Sequence, residues 1–153
     1  MKNDKGKLSL QRVEALTKIK EEINKEYGFE GNIPRINYGP CGVFAYIFFW
    51  EWNNRFEDKV HICFVMTKDF EECDHVCICL PNGEMYDGGV GVHSREQYDA
   101  QFVVKDMLQY DEALLEKWSY GLDRTYPRYC PTFDRKVVQK IVSTNLDGLK
   151  NNC

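Results

Sequence analysis

The sequence predicts an α+β domain, on three observations. The run Val43–Trp50 is apolar on nearly all sides and begins just after Pro40, which marks a central, buried helix. Val60–Thr67 and Cys73–Leu80 are apolar on both faces, and Asn82-Gly83 follows them as a hairpin signal. Apolar residues at helical spacing recur at both ends of the chain.

The elements follow in chain order. Leu10, Val13, Leu16, Ile19 and Ile23 step by three and four, which predicts an amphipathic helix over 8–27, ended by Gly28 and Gly31. A short connection reaches Pro40, suited to be the first helical residue because its missing N–H has no helical partner there. The buried helix runs to about Asn54, and two strands then follow at Val60–Thr67 and Cys73–Leu80. Beyond Gly91 the spacing predicts helices over Arg95–Leu108, Asp111–Tyr120 and Phe133–Leu146. Gly121–Pro131, with two prolines, is the longest irregular piece. One domain spans 1–153, with a polar, flexible 1–8 and a helical C-terminal part over 95–153.

Composition narrows the function. A chain of 153 residues, 43% apolar and 14% aromatic, can bury about two-thirds of its unfolded surface around one core. Its net charge of −4, from 20 basic and 24 acidic residues, gives no basic excess for nucleic acid. Val43–Trp50 is too short to span a membrane. Met1–Leu8 lacks the apolar core of a signal peptide. Seven cysteines, an odd number without a leader, read as reduced thiols and a cytoplasmic location.

The candidate chemistry lies in Cys41, His75 and Asp87. Cys41 falls in the first turn of the buried helix, where unpaired N–H groups and the helix dipole favour a thiolate. The same N–H groups suit the oxyanion of a tetrahedral intermediate, and Asn37 offers a side-chain donor to it. Gly39 and Gly42 leave room for a substrate backbone. Strand alternation places Cys73, His75, Cys77 and Cys79 on one face and Val76, Ile78 and Leu80 on the other. If the first face packs on the central helix, His75 meets Cys41 as its base. The hairpin then returns Asp87 to the level of Ile78 or Cys77, near enough to fix the imidazole tautomer. Taken singly, a cysteine in an apolar segment is usually a small buried hydrophobe, and an Asp before Gly-Gly is usually a turn residue. The combination carries the case.

This order, with Cys41 opening a buried helix and His75 and Asp87 on successive strands, resembles the transglutaminase-like and papain-like cysteine peptidase superfamily. The separations, 75 − 41 = 34 and 87 − 75 = 12, are of the size seen in its compact members. The likeness covers roughly Asn37–Gly91, about a third of the chain. It implies a papain-like or transglutaminase-like fold, with a central helix packed on an antiparallel sheet and further helices at both ends. It also implies acyl transfer from a peptide-like amide or isopeptide bond, through an acyl-cysteine, to water or an amine. A protein or peptide is then the expected substrate, and no cofactor is expected. The alternative is a non-enzymatic binding or inhibitory factor on the same fold.

Other residues compete for attention. His61, Cys63, Cys73, His75, Cys77 and Cys79 are zinc-ligand types, but their spacing is that of strand faces, and no second Cys-x₂₋₄-Cys pair completes a site. The expectation is therefore no metal. His61 is a backup base should the register differ, and His93, after Gly91, is expected to be exposed. The loop Asp123–Tyr129 reads as a cleft rim or a protein-binding edge.

Overall fold

In a computed structural model, residues 7–27, 29–30, 33–37, 39–119 and 133–150 are described. They form an α+β fold with helices α1 (Leu10–Tyr27), α2 (Cys41–Asn53), α3 (Glu112–Ser119) and α4 (Arg135–Lys150). A two-residue pair, β1 (Phe29–Glu30) and β2 (Ile33–Pro34), precedes a short 3-10 turn at Arg35–Asn37. The main sheet comprises β3 (His61–Thr67), β4 (Cys73–Cys79), β5 (Met85–Asp87), β6 (Gly91–His93) and β7 (Phe102–Met107). It is antiparallel throughout, in the order β6-β5-β4-β3-β7. No helix among the described residues is long and apolar enough to cross a membrane.

Helix α2 packs between β4 and α4, and α1 packs in turn on α4. Its inner face, Phe44, Ala45, Ile47, Phe48 and Trp52, is buried, whereas Trp50 is exposed and Val43, Tyr46 and Phe49 are half-buried. The helix is therefore not buried all round, as its composition suggested. Tyr110 packs on its outer edge, stacked on Phe49 at 5.6 Å and edge-on to Trp50 at 5.5 Å.

The predicted helix over Arg95–Leu108 is overturned, and with it a wholly helical C-terminal part from residue 95. That stretch holds only a short 3-10 turn at Arg95–Tyr98, followed by β7. Phe102, Val104 and Asp106 alternate with Val103, Lys105 and Met107, a period of two rich in β-branched residues. Pairing with β3 along its whole length, from Ile62↔Met107 to Thr67↔Phe102, outweighs the weak helical spacing. The turn after β4 also differs from the simplest hairpin. Gly83 N–H donates to Leu80 O at 2.9 Å and Leu80 N–H to Glu84 O at 2.8 Å. Pro81 and Asn82 thus form the turn, and Gly83 alone takes the left-handed conformation, at φ 92°. Gly28, Gly31 and the loop Gly121–Pro131 lie outside the described residues.

The face assignment needs one correction with consequences for the site. Val76, Ile78 and Leu80 join the core beneath α2, while Cys77 and Cys79 lie with Cys63, Val65 and Met85 under Tyr98, Phe102 and Val104. The histidine face is therefore not the helix face. Cys73 also leaves it, because the register shifts from Val65↔His75 to Met66↔Cys73 and leaves Asp74 as an extra, exposed residue. One inserted residue reverses the side-chain parity, and Cys73 turns into the core beside α2.

Candidate active site

The site forms at a corner of the sheet. β5 ends at Asp87, one register position beyond Tyr86↔Ile78, so β4 runs on past it through His75 to the Asp74 bulge. The start of α2 meets the imidazole at this corner. Pro40 is the residue before the helix rather than its first, with φ −81° and ψ 8°, and its carbonyl accepts from Phe44 N–H at 2.8 Å. Cys41 opens the helix, so the N–H groups of Gly42 and Val43 have no partner one turn back within it.

The three expected residues come together. His75 Nε2 donates to Asp87 Oδ2 at 2.9 Å, since a carboxylate can only accept. That bond leaves Nδ1 as the basic nitrogen of the neutral ring. The ring also lies close enough to the Cys41 sulfur for the two to interact electrostatically. Asp87 Oδ1 accepts from Gly89 N–H at 2.9 Å, Val90 N–H at 2.6 Å and Asn37 Nδ2 at 3.3 Å. Asn37 was expected to donate to an oxyanion, but its amide holds the second carboxylate oxygen of the acid. The first-turn N–H groups of α2 are the donors left for developing negative charge.

Electrostatics follow from burial and pairing. Burial alone would raise the Asp87 carboxyl, but the His75 hydrogen bond and charge, with the Val90 N–H, hold it well below the usual carboxylate range. Burial alone would lower His75; the Cys77 and Cys41 sulfurs and the Asp87 carboxylate instead raise it well above its ordinary value. The site thus favours an imidazolium between a carboxylate and sulfur. All three groups are deeply placed, with Cys41 1%, His75 9% and Asp87 1% exposed.

Cys77 joins this group, its sulfur lying within 4.8 Å of the facing His75 and Asp87 atoms. Strand alternation marked it as sharing the His75 face, although the sequence reading made it core filling. The Cys77 thiol is pushed up, by burial first, with the nearby imidazole opposing. His93, expected to be exposed, is buried: its Nδ1 donates to Gly91 O at 2.8 Å, so the neutral ring's Nε2 accepts from Tyr98 Oη at 2.7 Å. Tyr98 in turn packs against the cluster that holds Cys77, and burial is the main reason its hydroxyl titrates above the ordinary range. A hydrogen-bonded His93–Tyr98 pair thus sits behind the site beside Cys77.

Two sets of side chains have metal-ligand types at suitable separation: His75, Cys77 and Asp87, and His61, Cys79 and Asp106. In both, the carboxylate oxygens already accept protein hydrogen bonds. The five described cysteines, 41, 63, 73, 77 and 79, are not joined in disulfides.

Gly42 keeps the first turn of α2 open to α3. A Cβ there would sit 2.3 Å from Ser119 Oγ, 2.5 Å from its Cβ and 2.9 Å from its Cα. Alanine normally improves a helix by about 1 kcal/mol over glycine. Here the overlap includes backbone, so Gly42→Ala should instead lower stability by about 1–3 kcal/mol in urea unfolding. Adding Ser119→Gly should recover part of that loss; a stabilised Gly42→Ala single variant would contradict the packing.

Comparison of the chain with protein-family models, curated proteins and solved structures finds no match.

Proposed function

We propose that the protein is a cysteine-nucleophile hydrolase or acyltransferase, papain-like or transglutaminase-like in arrangement, acting on a peptide-like amide or isopeptide bond. The observation that carries this reading is the 2.9 Å His75–Asp87 hydrogen bond, on a ring that also interacts with the sulfur at the start of α2. Cys41 attacks the carbonyl carbon as thiolate, and His75 keeps the thiol proton. The first-turn N–H groups of α2 stabilise the oxyanion. His75 then protonates the departing amine as the tetrahedral intermediate collapses to an acyl-cysteine. Water or an amine, deprotonated by the same ring, releases the acyl group. Asp87 holds the tautomer and stabilises the imidazolium throughout.

A non-enzymatic protein-binding or inhibitory factor on the same fold is the second reading. The 1% exposure of Cys41 favours it, because a substrate must reach the sulfur. Alkylation with limiting iodoacetamide, mapped by mass spectrometry across pH, separates the two. An ion-paired thiolate keeps reacting at pH about 6, whereas an ordinary thiol of pKa about 8.5 slows tenfold with each unit below its pKa. Cys41 should hold its rate at acid pH and outpace Cys153, and His75→Ala should remove that advantage. A Cys41 rate no greater than that of Cys153, unchanged by His75→Ala, would end the enzyme reading.

A further inference from the structure

A second cysteine, histidine and acid meet on the sheet face opposite α2. The β3–β4 register pairs His61 with Cys79, and the β3–β7 register pairs Cys63 with Asp106, so all four side chains share that face. His61 Nε2 donates to Asp106 Oδ1 at 2.8 Å. Arg95 grips the same carboxylate with both terminal nitrogens, Nη1 reaching Oδ2 at 3.0 Å. The second of them, Nη2, also lies 3.6 Å from Cys79 Sγ. The group borders solvent, since the side chains of His61 and Asp106 are 28% and that of Arg95 35% exposed. At 5%, Cys79 is the most exposed of the five described cysteines; Cys63, Cys73 and Cys77 are fully buried.

We propose that Cys79, with His61, Asp106 and Arg95, is a second reactive thiol whose co-substrate is a hydroperoxide. The guanidinium and the imidazole stabilise negative charge on the sulfur, and Asp106 fixes both of them. His61 is held above its ordinary value, chiefly by the Cys79 sulfur within 4.8 Å of its ring nitrogen, and burial opposes this. In the reaction the Cys79 thiolate attacks the terminal oxygen of the hydroperoxide. An S–O bond forms and the O–O bond breaks, so the sulfur is oxidised by two electrons to a sulfenic acid. The departing alkoxide or hydroxide takes its proton from the His61 imidazolium and leaves as alcohol or water. A divalent cation suits the cluster less well, because Arg95 already occupies the carboxylate from both sides.

The proposal is independent of the role of Cys41, and the experiment keeps them apart. The full chain is treated with limiting hydrogen peroxide in the presence of dimedone, and sulfenic adducts are mapped by mass spectrometry. Cys79 should be trapped well before Cys63, Cys73 and Cys77. Arg95→Gln should slow its labelling about tenfold, the rate equivalent of one charge-assisted hydrogen bond. Arg95→Lys should keep part of the rate, and His61→Gln should slow it too. Cys79 labelling no faster than that of Cys63, or unmoved by Arg95→Gln, would overturn the proposal. A variant that had lost its fold would also label Cys63, Cys73 and Cys77; the wild-type ratio of Cys79 to Cys63 then decides alone.

Discussion

Replacing Asp87 by alanine should cost about 3–5 kcal/mol of stability, because it strips a buried charge pair of one partner. The carboxylate accepts from His75, Asn37, Gly89 and Val90, and it does so out of reach of solvent, the acid being 1% exposed. The cost should depend on pH in a defined way. Asp87 titrates below its unfolded value, so its contribution is complete above about pH 4 and fades as pH falls further. His75 titrates above its unfolded value, so its contribution is complete below about pH 6.5 and fades as pH rises. The stability gap between wild type and Asp87→Ala should therefore peak between about pH 4 and 6.5. Urea unfolding of both proteins from below about pH 4 to above about pH 6.5 measures it, and a gap that does not narrow on either side of that window would mean that the pair is not ionised. Asp87→Asn keeps the shape but removes the charge, and it should lose the acid-resistant alkylation of Cys41 while remaining folded.

Much of the site was legible because its residues sit in elements with strong local signals. A helix start after Pro40, an apolar strand and a Gly-containing turn fix the positions of Cys41, His75 and Asp87 to within a residue, and the hairpin places Asp87 level with Cys77 as the sequence suggests. What could not be read was which face of β4 meets α2. That depends on the Asp74 bulge and on the early end of β5, and both are set by pairing partners distant in sequence. For the same reason β7 read as helix, since its partner β3 lies some 40 residues earlier. Asn37 read as an oxyanion donor because sequence proximity to Cys41 was visible, whereas its approach to Asp87, 50 residues away, was not. The second cluster escaped for a different reason. His61 and Cys79 were grouped among the zinc-ligand types, but Asp106 and Arg95 were not, because only the registers on either side of β3 bring Cys79 and Asp106 to His61.

The distance between Cys41 and Asp87 is set by aromatic packing, and Phe48→Ala should expose this. Phe48 is fully buried, with its ring centroid 5.0 Å from that of Tyr86, 5.8 Å from Trp52 and 6.1 Å from Phe44. Tyr86 is the residue before Asp87, Phe44 lies one turn after Cys41, and a Cβ at Gly88 would be only 3.1 Å from the Phe44 ring. The cluster thus ties the nucleophile's helix to the acid's strand. Removing a buried phenylalanine ring costs about 3–5 kcal/mol through lost contacts and the cavity left behind. Leu146→Ala, equally buried but on α4, should cost about 2–5 kcal/mol by the same mechanism. The two should differ in their effect on the site. Under conditions where both variants remain folded, Phe48→Ala should slow Cys41 alkylation at acid pH, and Leu146→Ala should leave it near the wild-type rate. Equal effects from the two would mean that the thiol responds only to global stability, and that the aromatic cluster has no special part in holding Cys41 against His75.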